Sequence, residues 1–453
     1  MGNASAAAHQ SRIFAGAHFR KISLNHSALG LVLLGACSRA HSSRCSDSSP
    51  GTAEIPECKE CVRKAARIFC GGEHTLVRDP ETLEVLQLGA CGLGFDHEDA
   101  SVVADATAYT RKVPLPGPAI AVFAGYYHNL LKMTGGRCFA YGCGRQAPND
   151  GQLMNGSESE DTFPSPTLRR FAEASVGGHH TVCRTASGEV WACGAGWQGQ
   201  MGDGSLKYKN PQPQRVADLP RVSKVAGGYY HNAALGEDGE WYVWGCNEQE
   251  QLGAADPSGT SQAQVTRPRR LSEAGGGLER VRVTDFDGGY GHSVLLLEDG
   301  RVLTMGNHSE GQRALSPDLE VSPLVAEVTG LPGPASLIAA GSHHTLVVVD
   351  GRVFAFGSDE YGQVSGKGEA SEGADEQRWQ PVCVAGFPDD DPVVRVSAGI
   401  CHSGAQTASG RIFLWGCGGN GQTGDSSLPS SSPVTEVNVK KLFRRCQDAA
   451  LPK

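Results

Sequence analysis

The segment Val225-Ala-Gly-Gly-Tyr-Tyr-His231-Asn-Ala-Ala-Leu-Gly-Glu-Asp-Gly239-Glu-Trp-Tyr-Val-Trp-Gly245 decides how this chain folds, because its landmarks return six more times. Its histidine recurs as His74, His128, His180, His231, His292, His344 and His402, at intervals of 51 to 61 residues. A strand-ending glycine follows each one, at Gly89, Gly142, Gly194, Gly245, Gly306, Gly357 and Gly416. The separation is 14 residues in five repeats, 15 in the first and 13 in the sixth. Between the two landmarks sits a turn: Gly135-Gly136, Ser187-Gly188, Asp238-Gly239, Asp299-Gly300, Asp350-Gly351 or Ser409-Gly410. Two-residue hairpin turns need positive φ, which glycine adopts without a Cβ clash. Alternating flanks such as Thr345-Leu-Val-Val-Val349 and Arg352-Val-Phe-Ala-Phe356 predict the paired strands. The first repeat has Asp79-Pro80-Glu81 in place of the turn, which predicts a longer, irregular connection.

Working outward, six residues after the strand-ending glycine comes a glutamine: Gln200, Gln251, Gln312, Gln363 or Gln422, with Gln152 displaced by an insertion in the second repeat. A proline-led strand then leads to the next repeat, as at Pro323. Four strands in a unit of roughly 50 residues make one blade of a propeller. A single blade cannot bury both faces, so the units must stack radially. The 60 glycines of the 453 residues thereby acquire positions, and the absence of a glycine-every-third-residue period excludes collagen.

The combination of Gly-Gly-x-x-His, Asp-Gly, Trp-Gly-Cys/Ala and Gly-Gln-x-Gly resembles the regulator of chromosome condensation repeat family. The resemblance implies an all-β, seven-bladed β-propeller over residues 66–442, after an N-terminal extension (1–65) and before a C-terminal tail (443–453). It also implies a ring closed by pairing sequence from the two ends, here about Pro433–Leu442 and the residues just before Cys70.

Charge is unevenly spread. The chain carries −9 in total, yet residues 1–46 hold Arg12, Arg20, Lys21, Arg39 and Arg44 with no acid, so the remainder carries −9 − 5 = −14. An acidic body repels phosphate backbones and suits basic protein surfaces, so nucleic acid is not the expected partner of the propeller. No apolar run reaches the 18 or so residues of a membrane span; the longest is the ten-residue Ala28–Cys37. The acid-free N-terminal segment has three readings: flexible or decayed repeat sequence, echoed in Phe14-Ala-Gly16-Ala-His18, or a mitochondrial transit peptide, or a secretory signal core. The 15 cysteines are too sparse for a disulfide scaffold. Cys143, Cys193, Cys246 and Cys417 recur beside strand-ending glycines and read as small buried residues in a reducing compartment, cytoplasmic or nuclear.

No covalent active site is readable, and no cofactor is expected. Gly362-Gln-Val-Ser-Gly366-Lys367-Gly368 lacks the Ser or Thr of a phosphate-binding loop. Cys58, Cys61, Cys70 and His74 have the ligand types of a Cys₃His zinc site, although the gap between the pairs is short and His74 already has a repeat role. The seven repeat histidines are dispersed one per blade and read as structural. The tryptophans fall mostly at strand positions and read as core.

Function must then lie in variable positions on a rigid ring. The loops Arg145–Pro164, Ala254–Glu279 and Gly366–Arg378 are candidates, the last with an acidic tongue of Glu369, Glu372, Asp375 and Glu376. The first expectation is a non-catalytic, monomeric protein-interaction propeller, a regulator or scaffold acting with a small GTPase or other signalling partner. The second follows from the resemblance: guanine-nucleotide exchange on a Ran-type small GTPase, through an Asp and a His at the position just before the repeat histidine. That position holds Glu73, Tyr127, His179, Tyr230, Gly291, His343 and Cys401 here. Glu73, His179, His343, Tyr127 and Tyr230 are therefore the candidate exchange face, with no Asp among them.

Overall fold

The structure, a computed structural model, describes residues 68–89, 110–142, 149–158, 161–253, 263–319, 322–367, 377–424 and 431–449. The strands group into seven antiparallel four-stranded sheets, each of consecutive sequence: blade 1 (68–112), blade 2 (119–166), blade 3 (173–215), blade 4 (222–270), blade 5 (283–327), blade 6 (335–383) and blade 7 (393–436). The first strands of successive blades touch one another around the ring, and that of blade 7 touches that of blade 1. This is a seven-bladed β-propeller.

The landmark residues meet in pairs. Each repeat histidine opens the second strand of its blade and lies in register with the strand-ending glycine of the third, from His74 with Gly89 to His402 with Gly416. The glycine is forced: at Gly357 the backbone has φ 111°, and a Cβ there would sit 2.4 Å from the His343 carbonyl oxygen.

Turn geometry explains the one-residue difference in spacing. In the sixth repeat Val349 pairs with Arg352, and both Asp350 (φ 49°) and Gly351 (φ 75°) are left-handed, giving the expected two-residue turn. In 14-residue repeats the loop is one residue longer than expected. Gly239 donates its N–H to the Gly236 carbonyl (3.0 Å) and is the only left-handed residue of its turn, and Gly188, Gly300 and Gly410 repeat that bond. These are three-residue loops, a type I turn followed by a left-handed glycine.

Neighbouring blades share their cores. One cluster runs from Val182 of blade 3 through Trp244 of blade 4 to Met305 of blade 5. Trp244 and Trp415 are fully buried, and each donates its indole N–H to a Gly-Gln loop carbonyl, of Gln200 and Gln363 respectively, at 2.9 Å. Truncating such a residue to alanine costs about 3–5 kcal/mol.

The seam differs from the expected shared blade. Ser431–Glu436 is the outermost strand of blade 7 and Ile68–Cys70 the innermost of blade 1, so the two never pair. Closure is face to face: Ile68, Cys70, Val77 and Leu88 pack against Ile412, Leu414 and Val437. A terminal helix, α1 (Val439–Ala449), adds Val439 and Leu442 to this cluster. Asn438 caps it, its side-chain oxygen accepting the Lys441 N–H at 2.9 Å. Lys440, Lys441 and Arg444 stay on the exposed side.

Candidate functional site

The repeat histidines bind the blades to one another. Each Nε2 meets the side chain that follows the histidine in the next blade: His74 with Asn129 (2.7 Å), His128 with Thr181 (2.7 Å), His180 with Asn232 (2.8 Å), His231 with Ser293 (3.0 Å), His292 with Thr345 (3.0 Å), His344 with Ser403 (2.9 Å) and His402 with Thr75 (3.0 Å). The circuit is closed. Five of the seven partners are Ser or Thr, each spending its hydroxyl proton on the carbonyl of the Gly-Gln glutamine: Thr75 on Gln422, Thr181 on Gln152, Ser293 on Gln251, Thr345 on Gln312 and Ser403 on Gln363. Their oxygens must therefore accept from the imidazole, which sets the proton on Nε2. Burial holds the imidazoles neutral, with His74 and His180 pushed down to about 4 and His231, His344 and His402 to about 3.

The recurring geometry has a second half. In every described Gly-Gln loop the glutamine Oε1 accepts the N–H two residues earlier: Asp150, Gln198, Gln249, Glu310, Tyr361 and Asn420. In three of these loops that earlier residue leans towards the pre-histidine residue of the next blade. Asp150 reaches His179, Gln249 lies over Gly291, and Tyr361 comes within electrostatic range of Cys401. Two variable rings thus surround the channel mouth, and sequence reasoning found only the inner one. The missing signal was present, two residues before each repeat glutamine.

On blades 2 to 4 the inner ring is aromatic, and Tyr290 of blade 5, one residue before the inner-ring Gly291, extends it. Tyr126 and Tyr229 are buried and touch at 4.5 Å between ring centroids, across Gly178, whose missing Cβ leaves the space. His179 is the hub. Its ring lies 5.3 Å from Tyr127, 5.7 Å from Trp197 and 6.4 Å from Tyr230 in a stacked arrangement, and its Nε2 is 3.1 Å from the Tyr229 hydroxyl. Burial raises the Tyr229 and Tyr230 phenols above their ordinary range, so both stay protonated. Trp197 stacks on Tyr208 (4.8 Å), which is 54% exposed; this tryptophan belongs to the surface cluster rather than to the core.

Asp150 supplies the acid that the inner ring lacks there. Its side chain is fully buried, with Oδ2 3.5 Å from His179 Nδ1 and Oδ1 3.6 Å from Lys209 Nζ. Among the residues expected to form one face, Tyr127, His179 and Tyr230 come together, and His343 joins through Tyr290 (5.7 Å between rings). Glu73 sits apart, buried in blade 1 beside Cys401 and Cys417. The tongue residues Glu369, Glu372, Asp375 and Glu376 lie outside the described residues, as do Cys58 and Cys61. Cys70 is buried in the innermost strand with its thiol pushed up to about 12 by burial, and His74 is committed to Asn129. Rigid aromatic faces with buried and rim acids suit cationic and apolar side chains of a protein surface.

The geometry defines a propeller whose blades are clasped by a histidine circuit and whose variable residues gather at the channel mouth. The chain belongs to the RCC1-like domain family, whose profile matches residues 25–372, and residues 350–406 match the regulator of chromosome condensation (RCC1) repeat. It is 30% identical to the ultraviolet-B receptor UVR8 of Arabidopsis thaliana, over 72% of this chain and 71% of that one. To the human regulator of chromosome condensation it is 26% identical over 74% of this chain and 80% of that one. The crystal structure of Prp20p from Saccharomyces cerevisiae shares the fold, with a TM-score of 0.61 and 20% identity, over 84% of this chain and 85% of that one. Among the described residues no helix is long and apolar enough to cross a membrane.

Proposed function

We propose that this chain is a non-catalytic protein-interaction propeller, a regulator or scaffold working with a small GTPase or another signalling protein, and that the partner seats on the channel-mouth face. The observation that carries this reading is the continuous aromatic surface from exposed Tyr208 through Trp197 to His179 and Tyr230. Large rigid rings bury area at little entropic cost, which is why they dominate binding energy at protein interfaces. The acids around it, Asp150, Glu158 and Glu248, and the net −14 of the body favour a basic partner surface. The acidic tongue at Glu369, Glu372, Asp375 and Glu376 would extend that field. A monomer in the cytoplasm or nucleus completes the reading, supported by eight free thiols among the described cysteines. Affinity purification of wild type against Tyr208→Ala tests it: the specific partner should be lost with the variant. A partner retained undiminished would move the site elsewhere.

A second reading is guanine-nucleotide exchange on a Ran-type GTPase. Membership of the family supports it, together with Glu73, His179 and His343 at the pre-histidine position. Exchange needs no covalent chemistry, only tighter binding of the nucleotide-free GTPase than of the loaded one. Release of fluorescent GDP from Ran, accelerated by micromolar protein, would establish it; an unchanged rate removes it.

A further inference from the structure

Blade 7 carries chemistry at the channel mouth that partner binding does not use. Cys401 occupies the pre-histidine position, and Cys417 follows the strand-ending Gly416. The pairing of His402 with Gly416, continued by one residue, sets the two cysteines opposite each other. The Cys417 N–H donates to the Cys401 carbonyl at 2.7 Å, and the two thiols share a hydrogen bond. Both are half-buried rather than enclosed, which corrects the expectation that Cys417 is a buried packing residue. The same two positions in blades 3 to 6 hold His179 and Ala195, Tyr230 and Cys246, Gly291 and Asn307, and His343 and Ser358.

We propose that Cys401 and Cys417 form a thiol-modification site that closes reversibly to a disulfide on meeting a low-molecular-weight disulfide such as oxidised glutathione. Cys417 is the attacking sulfur. The hydrogen bond from Cys401 holds its thiol below the ordinary range and leaves Cys401 above it, while Gln422 Nε2 donates to the Cys417 sulfur at 3.2 Å. The Cys417 thiolate attacks one glutathione sulfur, the S–S bond breaks, and one glutathione leaves as thiolate. That thiolate takes the Cys401 proton. Cys401 sulfur then attacks Cys417 Sγ and expels the second glutathione, which is protonated from solvent. Two cysteine thiols are oxidised and one glutathione disulfide is reduced to two thiols.

Directly opposite strand positions hold their Cβ atoms about 4.5–5.5 Å apart, whereas a disulfide wants about 3.5–4.5 Å. Closure must draw the strands together, and a bond under such tension is readily reduced again. Ile400, next to Cys401, packs in the same cluster as the channel tyrosines, so closure bears on the partner-binding surface.

The test uses the full chain, incubated with oxidised glutathione and digested with trypsin without reductant. Cleavage after Arg411 separates the two cysteines. The expected product is a linked pair of peptides bearing Cys401 and Cys417, two hydrogens lighter than their sum and parted by dithiothreitol. Cys401→Ser should trap glutathione on Cys417. The proposal is overturned if both cysteines remain alkylatable while exposed Cys383 becomes glutathionylated, or if Cys417 links to a different cysteine.

Discussion

His402 donates from Nε2 to the Thr75 hydroxyl at 3.0 Å, joining residues 327 apart in sequence and closing the propeller ring. The Thr75 hydroxyl donates in turn to the Gln422 carbonyl at 2.8 Å. Thr75→Val keeps the shape but leaves a buried N–H and a buried carbonyl without partners. The expected cost is about 2–4 kcal/mol, read as a lower urea midpoint. Thr345→Val, which breaks the same two bonds inside the ring, should cost a similar amount. An unchanged midpoint for Thr75→Val would mean that the seam is held by the Ile68–Leu414 cluster alone.

Acid should unfold this protein steeply. The seven repeat histidines have folded pKa values depressed by burial, five of them to about 3 or 4 and His128 and His292 well below normal. The unfolded chain, with histidines near 6.5, therefore binds more protons in the window from about 6.5 down to about 4. Stability is fully present above that window and falls as pH drops through it, by up to about 1.4 kcal/mol per pH unit for each histidine. Asp287, pushed up to about 8 by burial, and Glu173, raised by burial, work in the opposite sense, but they are two acids against seven imidazoles. Urea midpoints at pH 8, 6.5 and 5 measure the effect; equal values at pH 6.5 and 5 would contradict it.

Two glycines separate backbone strain from steric collision. Gly239 has φ 85°, and a Cβ added there would meet nothing within 4 Å, so Gly239→Val should cost a little over about 1 kcal/mol through backbone strain alone. Gly357→Ala adds a 2.4 Å contact with the His343 carbonyl, and should cost at least twice as much. Differential scanning calorimetry ranks them. A Gly357→Ala melting temperature at or above that of Gly239→Val would refute the pairing geometry.

The partner face can be separated from the scaffold. Trp197→Ala and Tyr208→Ala remove half-buried and exposed rings, and each should weaken partner binding about tenfold or more, equivalent to about 1.4 kcal/mol, with little change in melting temperature. Arg280→Ala, on the connection between blades 4 and 5, should bind as wild type. Equal affinities for all three variants would dismiss the channel mouth as the site.

Much of the site is half-legible in the sequence. The pre-histidine positions follow directly from the repeat alignment, so Tyr127, His179 and Tyr230 can be named, and they meet. Asp150 escapes that alignment because its relation to His179 crosses from one blade to the next, between loops of different length. Trp197 reads as core when residue type is weighed without its place after the strand end.

Blade number, strand spacing and turn placement were settled by the sequence alone, because they rest on local requirements. Left-handed backbone demands glycine, and a two-residue side-chain period demands alternation. Even the turn type was encoded, in a separation of 13 rather than 14 residues. Tertiary structure alone decided which residue meets which across blades: the closed histidine circuit, and the lean of the Gly-Gln loops of blades 2, 4 and 6 towards the next pre-histidine residue. The inter-blade contacts join groups some 50 residues apart, and at the seam 327 apart, through a stacking geometry that exists only once the ring has closed.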